Sequence, residues 1–283
     1  MAVPAGKVPI FESAGQAVGF LRQQWRFVLT VAAVTAFAQA AAFLLLGVTL
    51  PFLVLIFFFA ACAHAAFLAR ALDGPAPFDW KALLRNGARV FTAVGAIAFF
   101  MAIVGFMVFY IAMGVLIAPY QNEVKAAGED QAALTQIMTQ AVESQPGTLM
   151  WALLIGGLLL LLLTSRFYLA APASVDCKRI VVFDSWRWSK GNMLRIVAAR
   201  LAVLGPALAL VFALQSLASL LLGAPAADPM QTAALIQANP IRFAAFYFLA
   251  GFIQLAFYGA LEAGLAAFLY RGLRPAVPQP PAA

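Results

Sequence analysis

Six long apolar stretches interrupt this chain, and they constrain its fold more than any other feature. They run from Phe27 to Leu46, Phe52 to Ala69, Val90 to Ala118, Leu149 to Ala171, Leu194 to Leu222 and Ile241 to Tyr270. About 20 mostly apolar residues in a helix cross the hydrocarbon core of a bilayer. The chain as a whole is 64% hydrophobic and 10% charged, with mean hydropathy +0.93. A soluble domain is nearer 45–50% apolar and about 25% charged. Lipid is therefore the solvent expected here. The pattern predicts an all-α, polytopic membrane protein with six transmembrane helices in three hairpins. Its 283 residues suit a single membrane domain over 1–274, without room for a separate soluble domain of typical size.

The breaks between runs fit this count. Gly47 and Pro51 suit a tight turn between the first two helices, since neither favours a helix interior. Pro119 is expected to end the third helix and Pro172 the fourth. The loops then test it by charge. Sixteen Lys and Arg residues fall on one side of the alternating topology, and only Lys125 and Arg242 on the other. Cytoplasmic loops concentrate Lys and Arg, so the basic side, with both termini, is expected in the cytoplasm. The net charge of +7 follows from this asymmetry and does not call for nucleic acid, whose groove-reading motifs are also missing. The excess of Arg over Lys and the abundance of Ala point to a GC-rich bacterial genome, hence to the inner membrane. The mixed residues ahead of Phe27 do not read as a signal peptide. Cys62 and Cys177 lie outside zinc or redox spacing and are expected to be reduced and structural.

Two outer loops carry helix signals of their own. In Glu129 to Val142, the residues Leu134, Ile137, Met138, Ala141 and Val142 recur at helical spacing. In the other loop, Asp228-Pro229 reads as a helix start and Asn239-Pro240 as a stop. Both are expected to form short surface helices. The proline-rich tail 275–283 has too little apolar content to fold alone and is expected to be disordered.

Three segments on the basic side share a layout. They begin Phe11-Glu12-Ser13, Phe78-Asp79-Trp80 and Phe183-Asp184-Ser185. Each leads into a hydrophobic hairpin, with basic residues on the way next to Gly and Asn, as in Arg85-Asn86-Gly87 and Lys190-Gly191-Asn192. The first copy keeps only Gly19, and a second basic position follows at Arg22, Arg89 and Arg195. Asp or Ser can take up free N–H groups of a first helical turn, and Arg and Lys can snorkel to headgroup phosphates. The layout predicts a threefold repeat over 11–72, 78–171 and 183–270. Each repeat is a cytoplasmic interfacial helix followed by a transmembrane hairpin.

The stretch Arg166-Phe167-Tyr168-Leu169-Ala170-Ala171-Pro172-Ala173, with Asp184-Ser185-Trp186-Arg187-Trp188-Ser189-Lys190-Gly191-Asn192 after it, resembles a signature of one family. This is a broad group of bacterial six-pass membrane proteins related to the membrane domain of glycerophosphoryl diester phosphodiesterases. The likeness covers this signature; elsewhere it is one of topology. It implies a six-pass fold. It does not imply the phosphodiesterase activity, which belongs to a soluble barrel that this chain lacks. A metal-dependent phosphodiesterase needs clustered carboxylates and histidines, and His64 is the chain's one histidine.

A few polar residues remain inside the apolar runs. Glu262 lies about two turns from the cytoplasmic end of the sixth helix, where an unpaired carboxylate is costly. Arg166 and Arg200 are its candidate partners, giving either a structural ion pair or a substrate or proton site. His64 reads as a neutral imidazole bonded to a neighbouring helix, or as a relay. Gln39, Gln215 and Gln254 are expected to bond across helices. The ladders Ala32-Ala36-Ala40 and Gly259-Ala263-Ala267 are expected to be helix interfaces. Trp186, Arg187, Trp188, Lys190 and Arg195 form an aromatic–basic cluster, either a membrane anchor or a lipid headgroup site. No catalytic, cofactor or metal motif stands out. The function expected is a non-enzymatic inner-membrane protein that binds lipid, anionic phospholipid in particular, or a partner. That partner is a membrane protein or a second copy, and the role is one in envelope homeostasis. The alternative is a small transporter or permease component with a polar path near Glu262 and His64.

Overall fold

The computed structural model describes residues 8–222, 236 and 238–274, and among them all regular structure is helical. In chain order the helices are α1 (Ile10–Gln23), α2 (Trp25–Leu46), α3 (Leu50–Asp73), α4 (Trp80–Ile117), α5 (Gln121–Ala127), α6 (Gln131–Ser144) and α7 (Pro146–Arg166). Then follow α8 (Ala170–Asp176), α9 (Asp184–Trp188), α10 (Met193–Leu222), α11 (Pro240–Ile253), a π-helical segment (Gln254–Gly259) and α12 (Ala260–Leu273). Among the described residues six helical stretches are long and apolar enough to cross a membrane: Trp25–Leu46, Leu50–Asp73, Trp80–Ala127, Pro146–Asp176, Met193–Leu222 and Pro240–Leu273. These are the six runs read from the sequence.

Local chemistry sets the boundaries. Gly47 closes α2 at φ 60°, and Thr49 caps α3 by accepting from Phe52 N–H (3.4 Å), with Pro51 in the first turn. Asp79 accepts from Lys81 N–H (2.8 Å) at the start of α4. Asp130 caps α6, accepting from Ala132 and Ala133, so a helix is present where the spacing over Glu129–Val142 led one to expect it.

Several expectations need correction. Pro172 does not end the fourth helix. The helix stops at Arg166, breaks over 167–169 and resumes as α8, where Pro172 fits because early helical positions need no N–H partner. Asn239-Pro240 is not a stop but the start of α11: Asn239 accepts from Arg242 N–H (3.1 Å) and Pro240 takes the first position. A separate helix precedes the hairpin only in the first repeat, where α1 and α2 part at Gln24. In the second, the mixed segment from Trp80 is continuous with the span and runs through Gly87 without a break. In the third, only the five residues of α9 are helical. Asp228-Pro229 and the tail 275–283 lie outside the described residues.

The described chain divides into two compact units, 1–95 with 166–283, and 96–165. In the first, α2 packs on α3 and α11, and α12 packs on α1 and α3. Helix α10 packs on α1, α11 and α12, while α8 packs on α3 and α12. Lipid tails are as apolar as leucine, so close packing has to supply what hydrophobicity does in water. Small residues provide it. Ala32, Ala36 and Ala40 are buried, and a Cβ on Gly251 of α11 would stand 3.6 Å from Ala36 Cβ. Ala263 and Ala267 are buried as well, and Gly264 brings α12 onto Ala17 and Phe20 of α1. Both expected ladders are thus interfaces within the chain. Gly87 lets α4 meet Cys62 of α3, whose thiol is buried and free. Gln39 donates to Ile56 C=O on α3 (3.1 Å), and Gln215 donates to Ala250 C=O on α11 (3.1 Å). Gln254 is exposed instead, at the start of the π segment.

The second unit holds the rest of α4, α5, α6 and most of α7. Val108 approaches Gly156, where a Cβ would lie 2.9 Å from it. Tyr120 and Ser144 share a hydrogen bond (2.7 Å), and Gln145 donates to Leu116 C=O (3.4 Å). Phe99, Phe106, Tyr110, Leu153 and Ile155 are exposed, as lipid-facing side chains require.

Candidate functional site

Two polar sites emerge in the first unit. One is the segment between α8 and α10. Its loop after α8 is pinned by the Ser174 hydroxyl, which accepts from Val181 N–H (2.9 Å) and donates to Ala170 C=O (2.8 Å). Ser174 and Val181 are both buried, so the residues between them protrude: Lys178, Arg179 and Ile180 are exposed. Lys178 has φ 53°, the conformation of a tight reversal. In α9 beyond it, Asp184 pairs with Arg179 (3.4 Å) and Arg187 (2.8 Å). Trp186 packs on Phe167 with ring centroids 5.2 Å apart, and the Arg166 guanidinium lies over the Trp186 ring at 5.3 Å. The Ser189 hydroxyl reaches Arg166 C=O (3.2 Å) and Trp186 C=O (3.1 Å), tying α9 to the end of α7.

The expected lipid set divides on this geometry. Trp186, Arg187 and Lys190 face outward. Trp188 turns inward onto the buried Tyr270 ring (5.9 Å), whose hydroxyl donates to Asp176 (2.8 Å). Arg195 is occupied with Val8 C=O (3.4 Å). Lys178 and Arg179, of the basic connection read between the fourth and fifth runs, and Phe183 of the repeat layout join this outward surface, and so does Ile180, which sequence reasoning missed. The signal was a serine seven residues ahead of a valine, too generic to be read as a loop clasp.

The second site lies between α3, α10, α12, the α7–α8 break and the π segment. Tyr168, in the break, donates its hydroxyl to Glu262 C=O (3.3 Å), and the Arg200 guanidinium sits over its ring at 4.8 Å. Glu262 acts electrostatically on His64 of α3, on Tyr168 and on Tyr258 of the π segment, and Arg200 acts on both tyrosines. Glu262 and Arg200 thus share one neighbourhood, with Tyr168 between them. Glu262 belongs to none of the ion pairs of the described residues. Arg166, the other candidate, is placed on Trp186 instead. Tyr168 and Tyr258 were not singled out from the sequence, because a tyrosine in an apolar run looks like any aromatic. Among the described residues no group of three His, Cys, Asp or Glu side chains could hold a metal ion.

Comparison with family models, with curated proteins and with solved structures returned no match. The family resemblance of Arg166–Ala173 and Asp184–Asn192 rests on those residues alone. They are the ones that build the helix break and the pinned loop.

Proposed function

We propose that this chain is a non-enzymatic protein of the bacterial inner membrane that binds anionic phospholipid on its cytoplasmic side. In this reading both termini are cytoplasmic, and three related hairpins carry aromatic–basic segments at the headgroup level. The observation that carries it is the pinned loop with α9. Lys178, Arg179, Arg187 and Lys190 are exposed there beside exposed Ile180, Phe183 and Trp186. Apolar side chains at the glycerol level and cations at the phosphate level are the two halves of a headgroup site. Three tryptophans at these segments also carry a cation over the ring: Trp25 has Arg26, Trp80 has Lys81 and Trp186 has Arg166. A basic residue near an anionic surface contributes about 1 kcal/mol. Replacing Arg187 and Lys190 by Gln should therefore weaken retention of anionic lipid roughly tenfold or more. Native mass spectrometry of the detergent-extracted protein measures this. Unchanged retention would reduce the segment to an anchor.

The second site favours another reading, a small transporter or permease component. Ionisable groups inside a membrane are costly and by default suggest a substrate or ion path. His64, Tyr168, Arg200, Tyr258 and Glu262 are drawn from five segments of the chain. If Glu262→Gln left stability and lipid retention untouched while abolishing a flux into proteoliposomes, this reading would replace the first.

A further inference from the structure

The exposed cations of the pinned loop and α9 fall into two pairs with an acid between them. Lys178 and Arg179 stand together at the reversal of the loop. Arg187 and Lys190 stand one turn apart, since Lys190 N–H donates to Arg187 C=O (3.2 Å). Asp184 joins the pairs by binding one arginine of each. Arg179 donates to its Oδ2 (3.4 Å) and Arg187 to its Oδ1 (2.8 Å). The two bonded nitrogens are therefore held within about 8 Å of each other, with a carboxylate across the gap. A guanidinium has several N–H donors in a rigid fork. These two side chains are 67% and 78% exposed, so each keeps donors for a second acceptor on its outer flank.

We infer that this site takes one lipid carrying two phosphates on a short bridge, a diphosphatidylglycerol, in preference to a lipid with a single phosphate. The inference rests on the segment being a headgroup site, as proposed above. A single phosphate placed to bridge both arginines would meet the Asp184 carboxylate, and like charges at that range repel. The carboxylate thus directs each arginine to a phosphate of its own, with Lys178 or Lys190 as the second cation. It also fixes the separation of the two arginines before the lipid arrives, which lowers the ordering cost of binding. In diphosphatidylglycerol one glycerol links the phosphates, a bridge suited to a gap of this size. Acyl chains leave from both of its phosphates, so each cation pair needs an apolar neighbour. Exposed Ile180 adjoins the first pair, exposed Trp186 adjoins the second, and exposed Phe183 lies between them. A soluble bisphosphate would need none of these three.

The test offers the full-length protein in detergent equal amounts of phosphatidylglycerol and diphosphatidylglycerol, and reads the retained lipid by native mass spectrometry. The native chain should retain one diphosphatidylglycerol, preferred roughly tenfold or more over phosphatidylglycerol. Asp184→Asn is the discriminating change. It removes a negative charge, so a plain electrostatic anchor would hold both lipids more tightly. If the carboxylate is the spacer, its loss lets both arginines close on one phosphate, and the preference should fall to near unity. Arg179→Gln should also abolish the preference while phosphatidylglycerol is still retained. Retention without preference in the native chain, with Asp184→Asn gaining on both lipids alike, overturns the inference and leaves the headgroup reading standing. No retained anionic lipid overturns both. Displacement of the lipid by an equal concentration of its deacylated headgroup, bis(glycerophospho)glycerol, would assign the site to a soluble bisphosphate and overturn the lipid as occupant.

Discussion

Replacing Gly87 by Ala tests the contact that joins α3 to α4. A Cβ at position 87 would run into Cys62 Sγ and would stand 3.1 Å from Cys62 Cα and 3.2 Å from its Cβ. The sulfur can rotate aside, but Cα and Cβ move only with the helix, so α3 and α4 must separate by a few tenths of an ångström. Overpacking of this kind costs about 1–3 kcal/mol. Against it, alanine gains about 1 kcal/mol over glycine in a helix interior. The net expectation is a loss of about 1 kcal/mol for Gly87→Ala, and more for Gly87→Val, whose extra methyls meet the same wall. Cys62→Ala removes the sulfur and part of the conflict, so the pair Gly87→Ala, Cys62→Ala should couple by about 0.5–1 kcal/mol. Reversible unfolding in mixed SDS micelles, followed by tryptophan fluorescence, gives these differences. A Gly87→Ala protein stabilised by the full propensity gain, and additive with Cys62→Ala, would show that the two helices do not touch.

The intramembrane polar site predicts coupled losses. Glu262→Gln should destabilise the fold and Arg200→Gln should partly restore it, because removing one charge leaves the other uncompensated; full additivity would show that the charges do not sense each other. Tyr168→Phe should cost about 0.6–2 kcal/mol through the lost bond to Glu262 C=O while keeping the ring beneath Arg200, and no measurable cost in the same unfolding assay would place that hydroxyl elsewhere. For topology, introduced cysteines near Ala127 should label from the periplasm and those near Asp73 from the cytoplasm, and the reverse at either position would overturn the orientation.

The spans were legible because the bilayer imposes a length. The six runs from Phe27 to Tyr270 match the six long helices within a few residues at their apolar ends. Polar ends were harder. Asn-Pro can close one element or open the next, and at Asn239 the choice falls to the N-cap bond with Arg242 N–H. Pro172 looked like a terminator, yet it is tolerated three residues into α8, where no N–H partner is lost. The three motif copies differ in local detail. Phe11, Phe78 and Phe183 are 89%, 79% and 75% exposed, and two residues on, Ser13 and Ser185 are fully buried. Both serines turn their hydroxyls onto the preceding backbone, Ser13 to Pro9 C=O (2.6 Å) and Ser185 to Val182 C=O (2.5 Å). The second copy has Trp80 at that position, exposed, and there the segment runs straight into the span. A bulky indole cannot take the buried serine site, which accounts for the departure. Of the aromatic–basic cluster, sequence gave its location but not which side chains point outward, since Trp186 and Trp188 differ only in the partner each finds.

Helical irregularity and polarity coincide in this chain, and the coincidence has a physical cause. The fourth span breaks at 167–169, and the sixth widens into a π turn over Gln254–Gly259. Tyr168, itself in the break, donates its hydroxyl to Glu262 C=O, in the first turn after the π segment, so the two irregular stretches meet. The π turn also carries one residue more than an α turn would, which rotates everything after it by about 100° relative to α11. Without that insertion Glu262 would face a different neighbour than His64 and Tyr168. The two defects are thus what bring the ionisable groups together, and neither gains the stability of a regular helix. A sequence that departs from local consistency at one place, and puts its few intramembrane charges there, is best read as having a use for them.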